Sequence, residues 1–267
     1  MDIRYTLLVL LFVPVLLTAQ LSSDVSGPYH LSIKRELSYG AAALGLLGGG
    51  QLLYQRVEPV ALLGLRRPRV PGFDRSALMG NSSADAAAVA DAGLLGSLSL
   101  PLVAILQRED LREGVNLLII AAETMAINQG LTDLMRSSIR RPRPYIYRVE
   151  VATPEAQATA RDRTSFPSPY TSNAAAAAFF FGRVYADYHP ASKLRPFVWG
   201  VSAVLPALTA YLEYRGRQAF LSDVVVGYAL GASVGYLVPA LHRKPLANGR
   251  LSVIPSGGGL YLSYALH

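Results

Sequence analysis

Long stretches without a charged side chain constrain this chain more than any other feature. No Asp, Glu, Lys or Arg occurs in residues 196–212 or 224–241. Each stretch approaches the roughly 20 residues that a membrane-spanning helix needs. Only 16% of the 267 residues are charged, against about 25% in an average soluble domain. The sequence therefore predicts a membrane-associated helical protein, with buried helices of a soluble bundle as the alternative.

The remaining composition excludes several other classes of protein. The absence of cysteine excludes disulfide-stapled modules and thiolate metal or redox sites. The net charge of +7 comes from 25 cationic residues, all but three of them arginine, and arginine suits forked recognition of phosphate or carboxylate. No basic face with interleaved aromatic residues indicates nucleic-acid binding. We therefore expect a phosphorylated lipid or another phosphate anion as partner.

Four segments are predicted along the chain. Residues 1–19 combine a charged start, an apolar run and small residues at the end, which is typical of a signal peptide or an N-terminal anchor. Residues 20–39 form an N-terminal segment, and residues 40–245 form a helical domain. Residues 246–267 alternate apolar and polar side chains around a glycine-rich turn, which predicts a short β-hairpin.

Six helices are predicted within the domain, and several carry polar side chains. Their predicted ranges are 40–54, 84–107, 115–135, 173–188, 196–214 and 222–241. Glu123, Asn128, Asp133, Arg183 and Asp187 interrupt the third and fourth. Since such groups are costly in a lipid-facing position, we expect them to face the bundle interior or a wet cavity.

Three polar stretches contain the candidate functional residues. The first runs from Arg136 to Pro144 and holds four arginines, the second runs from Ser165 to Thr171, and the third runs from Arg215 to Gly227. A serine and backbone N–H groups ahead of a helix favour an anion. Taken separately, the first stretch also fits a basic cluster at the membrane surface, and the second fits an ordinary helix cap.

The order and spacing of these stretches resemble the type 2 phosphatidic acid phosphatase superfamily. That family carries Lys-x6-Arg-Pro, then Pro-Ser-Gly-His, then Ser-Arg-x5-His-x3-Asp. Arg136 stands at the lysine position, Arg143 at the first arginine, Ser168 at the serine and Asp223 at the final aspartate. The resemblance covers about residues 40–241 and implies an all-α, six-helix membrane-associated bundle. It also implies that Arg136, Arg143 and Ser168 bind phosphate and that Asp223 would orient the nucleophilic histidine.

The chain departs from the family's motifs at the positions of the catalytic residues. Ala219 occupies the position of the nucleophilic histidine, Tyr170 that of the proton-donating histidine, and Pro169 that of a backbone N–H donor. In strict register the arginine of the third motif becomes Glu213, which would repel phosphate. A local shift would allow Arg215 or Arg217 to take its place.

No other histidine replaces the lost ones in this prediction. Successive loops of an up-and-down bundle alternate sides, so His30, His189 and His242 fall on the side opposite the motifs, about 30 Å away. His267 cannot be assigned to either side. A tyrosine hydroxyl with an ordinary pKa near 10 is a poor acid for this reaction.

We therefore predict a phosphatidic acid phosphatase type 2-like membrane protein that binds a phosphate-bearing lipid or other anion with absent or weak phosphatase activity. One alternative is an active lipid phosphate phosphomonoesterase with a non-standard nucleophile such as Ser168 or Ser222. The other is a structural membrane protein in which Asp223 pairs with an arginine. No cofactor or metal is expected. The predicted location is the cell membrane of a bacterial-type cell, multi-pass, with a periplasmic bundle as the alternative.

Overall fold

The structure is a computed structural model that describes residues 27–62, 70–79, 83–148, 157–244, 251–256 and 259–264. The predicted signal peptide or anchor over residues 1–19 lies outside the described residues, as does His267.

Six α-helices dominate the described part of the chain and confirm the all-α bundle. They are α1 Ile33–Gln55, α2 Ala84–Leu106, α3 Leu111–Ile139, α4 Pro169–Tyr188, α5 Arg195–Arg215 and α6 Leu221–His242. The predicted C-terminal hairpin is present as the antiparallel strands β3 Leu251–Ser256 and β4 Gly259–Tyr264. A second, two-residue pairing joins β1 Val60–Ala61 to β2 Gln157–Ala158.

Three helices begin earlier than the sequence pattern predicts. Helix α3 starts at Leu111 instead of residue 115, with Asp110 as its N-cap. Helix α1 starts at Ile33 instead of residue 40, because Glu36 in its first turn accepts a hydrogen bond from the backbone N–H of Ser32 (3.2 Å). Helix α4 starts at Pro169 instead of residue 173, with Ser168 as its N-cap. Proline in the first turn after a serine cap is a favoured helix start, and the alanine run obscured it.

Helix α4 occupies the centre of the bundle and contacts α2, α3, α5 and α6. Its run Ala174–Ala178 is fully buried. Helix α6 approaches it through glycines spaced four residues apart, at 227, 231 and 235. A Cβ atom at Gly231 would lie only 2.0 Å from the carbonyl oxygen of Ser172. Small residues on both helices therefore allow their backbones to pack in direct contact.

The polar residues of α3 face the interior, as predicted. Asn128 donates to Asn173 Oδ1 (2.7 Å), Ser172 donates to Asn128 Oδ1 (2.8 Å), and Asn173 donates to Gln129 Oε1 (2.9 Å). These bonds satisfy the amide groups between α3 and α4, where each unpaired polar group would be costly. Arg183 and Asp187 pair along α4 at 2.8 Å.

Three of the described helices are long and apolar enough to cross a membrane. They are residues Ala88–Leu106, Arg195–Arg215 and Leu221–His242, with mean hydropathies of 1.9, 1.2 and 1.8. Large apolar side chains stand exposed on each of them, including Leu95 (68%), Phe197 (69%) and Val225 (58%). Such exposed apolar surface on candidate membrane-spanning helices is suited to lipid.

The bundle has two chemically different ends. At one end, which we call the motif end, the described parts of loops 56–83, 140–168 and 216–220 meet, and the N–H of Ser222 donates to Asp74 Oδ1 (2.9 Å). At the opposite end, the N–H of His30 donates to the carbonyl of His242 (2.9 Å). The predicted sidedness of the motif loops and of these two histidines is thereby confirmed.

Candidate functional site

The candidate site forms where α3 and α5 end and α4 and α6 begin. Arg140 caps α3 in the left-handed conformation (φ 51°), and Pro142 and Pro144 prevent the helix from continuing. The loop that follows is held by the Arg143 N–H, which donates to the Asp162 carbonyl (2.8 Å). Helix α4 then follows its N-cap Ser168, whose hydroxyl accepts from the N–H of Thr171 (3.2 Å).

A cavity of about 120 Å³ lies at this junction. It has room for about four water molecules. Its lining contains two arginines, two carboxylic acids, a phenol, an amide and a methyl group: Arg143, Arg161, Asp91, Glu213, Tyr170, Gln218 and Ala90. The charges of the lining are therefore mixed, with cations and anions in equal number.

Arg143 is the buried cation of this cavity, with only 2% of its surface exposed. Its Nε donates to the carbonyl of Arg161 (3.0 Å), and its Nη1 donates to the carbonyl of Gln218 (2.8 Å). A guanidinium has five N–H donors. These two bonds fix the orientation of the side chain and leave donors that a bound anion can use.

Glu213 brings a fully buried carboxylate to the same cavity. It accepts hydrogen bonds from the hydroxyls of Ser168 and Thr171, the latter at 2.9 Å. Ser168 itself is buried and does not line the cavity. The hydroxyl that the resemblance assigns to phosphate is thus donated to a neighbouring carboxylate.

Neither position of the missing histidines supplies an imidazole-like group. Tyr170 lines the cavity and interacts with Asp91. Ala219 is completely buried and packs with Ala210 and Val224. His242 is nineteen residues after Asp223 on the same helix, a separation of about 28 Å.

Asp223 is paired with an arginine. Arg141 Nη1 donates to Asp223 Oδ1 at 2.6 Å, and its guanidinium lies over the ring of Phe220 (3.9 Å). The other carboxylate oxygen accepts from the hydroxyl of Ser165 and from the N–H of Phe220 (2.9 Å). Asp223 therefore fixes the start of α6 and joins it to the loops before α4.

Arg141 also joins α6 to the loop after α1. Its Nη2 donates to Asp74 Oδ2 (2.8 Å), which additionally accepts from the hydroxyl of Ser222 (2.7 Å). Burial alone would raise the pKa of Asp74, but the hydrogen bonds from Arg141 and Ser222 outweigh it and hold this pKa below its usual value. Asp74 is therefore ionised at neutral pH, and Arg141 bridges two carboxylates.

Besides Ser168, three further predicted phosphate contacts lie away from the cavity lining. Arg136 pairs with Asp133 one turn earlier (2.8 Å) and lies over the ring of Tyr54 (4.2 Å). Arg215 is exposed. Arg217 donates to the carbonyl of Ser76 (2.6 Å). Of the predicted contacts, Arg143 alone belongs to the lining.

Sequence reasoning missed four contributors to this end of the bundle: Arg141, Asp74, Asp91 and Arg161. Arg141 lies two residues before the matching arginine and fits no motif position. Asp74 and Asp91 lie in segments that the motifs do not include. The motifs did indicate one further residue correctly. Strict register with the third motif places Glu213 at its arginine position, and Glu213 does line the cavity.

Comparison with known proteins gives one family and one similar structure. Residues 117–246 match the model of the PAP2 superfamily. The crystal structure of a transmembrane PAP2-type phosphatidylglycerolphosphate phosphatase from Bacillus subtilis is similar, with 17% sequence identity and a TM-score of 0.42. The similarity covers 77% of this chain and 94% of that chain. No curated protein sequence matches this chain.

Proposed function

Because residues 117–246 belong to the PAP2 superfamily, we propose that this membrane protein binds a phosphate-bearing lipid headgroup and hydrolyses it slowly or not at all. One observation carries the proposal: the cavity keeps the buried guanidinium of Arg143, while its described lining contains no histidine. Guanidinium donors suit phosphate oxygens. Phosphate-ester hydrolysis is very slow without a catalyst, so binding alone gives little turnover.

The mixed charge of the lining refines the expected ligand. A phosphate held by Arg143 and Arg161 leaves Asp91 and Glu213 beside it. These carboxylates disfavour a dianion but accept a headgroup that also carries an ammonium group. Apolar exposed faces on the spanning helices support a ligand delivered from the bilayer, and a multi-pass location in the cell membrane.

A thermal-shift measurement tests the binding. The purified chain in detergent is expected to melt about 5 °C higher with a saturating phosphatidic acid, since a ligand that binds only the folded state stabilises it. Diacylglycerol, the same lipid without phosphate, is expected to give no shift. Phosphatidylethanolamine, whose headgroup also carries an ammonium group, is expected to give a shift at least as large as that of phosphatidic acid.

Variants test whether the lipid that raises the melting temperature binds in the cavity. Arg143→Gln and Arg161→Gln should each lose at least half of the shift, whereas Arg215→Gln should keep it, because Arg215 is exposed outside the lining. The comparison is made within each variant, so a lower starting melting temperature does not affect it. Equal shifts with phosphatidic acid and diacylglycerol, or a shift that survives in both cavity variants, would contradict the proposal. Absence of any shift favours a structural role.

A specific contact favours hydrolysis as the second candidate function. Ser168 Oγ donates to the Glu213 carboxylate, as a nucleophile and its general base would. In that reaction Glu213 takes the Ser168 proton, Oγ attacks phosphorus and the alcohol leaves with that proton. Water then cleaves the phosphoserine to give back Ser168 and release phosphate. Burial of Ser168 behind the lining opposes this alternative. Turnover lost in both Ser168→Ala and Glu213→Gln would support it.

A further inference from the structure

A second polar cluster lies at the end of the bundle opposite the cavity. Glu36 in the first turn of α1, Glu123 in α3 and His242 in the last turn of α6 converge there, each at most 1% exposed. One ligand-type atom from each lies within 4.8 Å of the others. The cluster is about 28 Å along α6 from Asp223, so the chemistry proposed above does not use it.

The hydrogen bonds of His242 determine which ring nitrogen faces the carboxylates. Its Nδ1 lies 2.8 Å from the carbonyl oxygen of Val238. A carbonyl only accepts, so Nδ1 carries a proton. Nε2 lies 3.1 Å from Glu36 Oε2 and 3.1 Å from Glu123 Oε2. A single ring nitrogen thus faces two carboxylates.

One proton on Nε2 does not satisfy both acids. The ring nitrogen is aligned for a hydrogen bond with Glu36, while neither carboxylate oxygen of Glu123 has a hydrogen-bond partner among the described residues. Glu123 is fully buried. An unsatisfied buried carboxylate is expensive and calls for an explanation such as a bound ion.

The surroundings match those of metal-binding side chains. A histidine that binds a metal usually donates its other ring N–H to a carbonyl or carboxylate, and bound carboxylates are themselves hydrogen-bonded. His242 donates to Val238, and Glu36 Oε1 accepts from Arg35 Nε and the N–H of Ser32, both at 3.2 Å. Ligand atoms bound at about 2.1 Å, about 90–110° apart, are separated by about 3.0–3.4 Å. The two 3.1 Å separations fall within this range.

We propose that Glu36, Glu123 and His242 bind one divalent transition-metal ion, Zn²⁺ or Mn²⁺. Imidazole together with carboxylate suits these ions, whereas Mg²⁺ and Ca²⁺ prefer all-oxygen sites. The ion would tie α1, α3 and α6 together at the end remote from the cavity, and would stabilise the fold without taking part in phosphate chemistry. The competing arrangement is an imidazolium shared by two carboxylates, without metal.

Metal retention by the whole, tag-free chain tests this site. The protein is stripped with a chelator in detergent, incubated with Zn²⁺ or Mn²⁺, desalted and analysed by mass spectrometry for metal content. Wild type is expected to keep about one ion per chain and to melt at a higher temperature with it. Glu123→Gln should keep less than a tenth of that amount. Glu109→Gln, an exposed glutamate outside the cluster, is the matched control and should behave as wild type.

Glu36→Gln provides a second variant if Glu123→Gln does not fold, because Glu36 lies in the first turn of its helix. Titration of stripped wild type with Mn²⁺ requires no variant, and the signal of free Mn²⁺ in electron paramagnetic resonance should stay absent up to one equivalent. Failure of wild type to retain Zn²⁺ or Mn²⁺ overturns the proposal and leaves the shared imidazolium. Equal retention by wild type and either cluster variant overturns it as well.

Discussion

Asp223→Ala is expected to cost about 3 kcal/mol of stability, because it leaves buried hydrogen-bond donors without their acceptor. Arg141 keeps its second carboxylate partner, Asp74. The carboxylate of Asp223 is fully buried and receives hydrogen bonds from Arg141, Ser165 and the N–H of Phe220. Loss of the hydrogen bond from the Phe220 N–H also removes a capping interaction from the start of α6. Thermal and denaturant unfolding in detergent measure the effect.

Two comparisons distinguish loss of the Arg141–Asp223 ion pair from the general effect of removing an aspartate from the first turn of a helix. Asp85→Ala changes an exposed aspartate in the first turn of α2 and should cost less than about 1 kcal/mol. Arg141→Met alone should also destabilise, but combined with Asp223→Ala it should cost clearly less than the sum of the two single changes. Additive effects would show that Arg141 and Asp223 do not act as a pair.

Gly231→Ala is expected to destabilise the bundle by about 3 kcal/mol or more, although alanine is the better helix former. The added Cβ would lie 2.0 Å from the Ser172 carbonyl oxygen and 3.0 Å from the Cβ of Ala175. Because a backbone carbonyl cannot rotate away, α4 and α6 must separate. Their separation would also disturb the bond from Ser172 to Asn128.

Gly200→Ala is the matched control for this change. Gly200 lies in α5, is exposed and has nothing within 4 Å of the position of a new Cβ. The same substitution there should be neutral or should stabilise by up to about 1 kcal/mol. Equal melting temperatures for the two variants would contradict the close packing of α4 on α6.

The positions of most helices could be predicted from the sequence because the patterns that indicate a helix are local. Charge-free runs predicted α5 and α6 nearly to the residue, and the alternation of loops predicted which of them meet. The start of α1 was missed, since Lys34, Arg35 and Glu36 resemble a polar linker until Glu36 is seen buried beneath His242.

The side-chain partners at the site were less predictable, because they depend on packing between distant segments. Motif spacing predicted that Arg136 binds phosphate, yet Asp133 lies one turn away on the same helix face and pairs with it. The suggestion that Asp223 pairs with an arginine identified the type of partner but not Arg141. Glu36, Glu123 and His242 follow no motif spacing, so only their convergence in space reveals them.

The release of inorganic phosphate from phosphatidic acid tests most directly whether this cavity binds without catalysing. The account predicts that wild type releases no more phosphate than Arg143→Gln or buffer, in a preparation that still shows the phosphate-dependent thermal shift. Release clearly above buffer that disappears in Arg143→Gln would contradict it, since the cavity would then be a working active site without a histidine in its described lining.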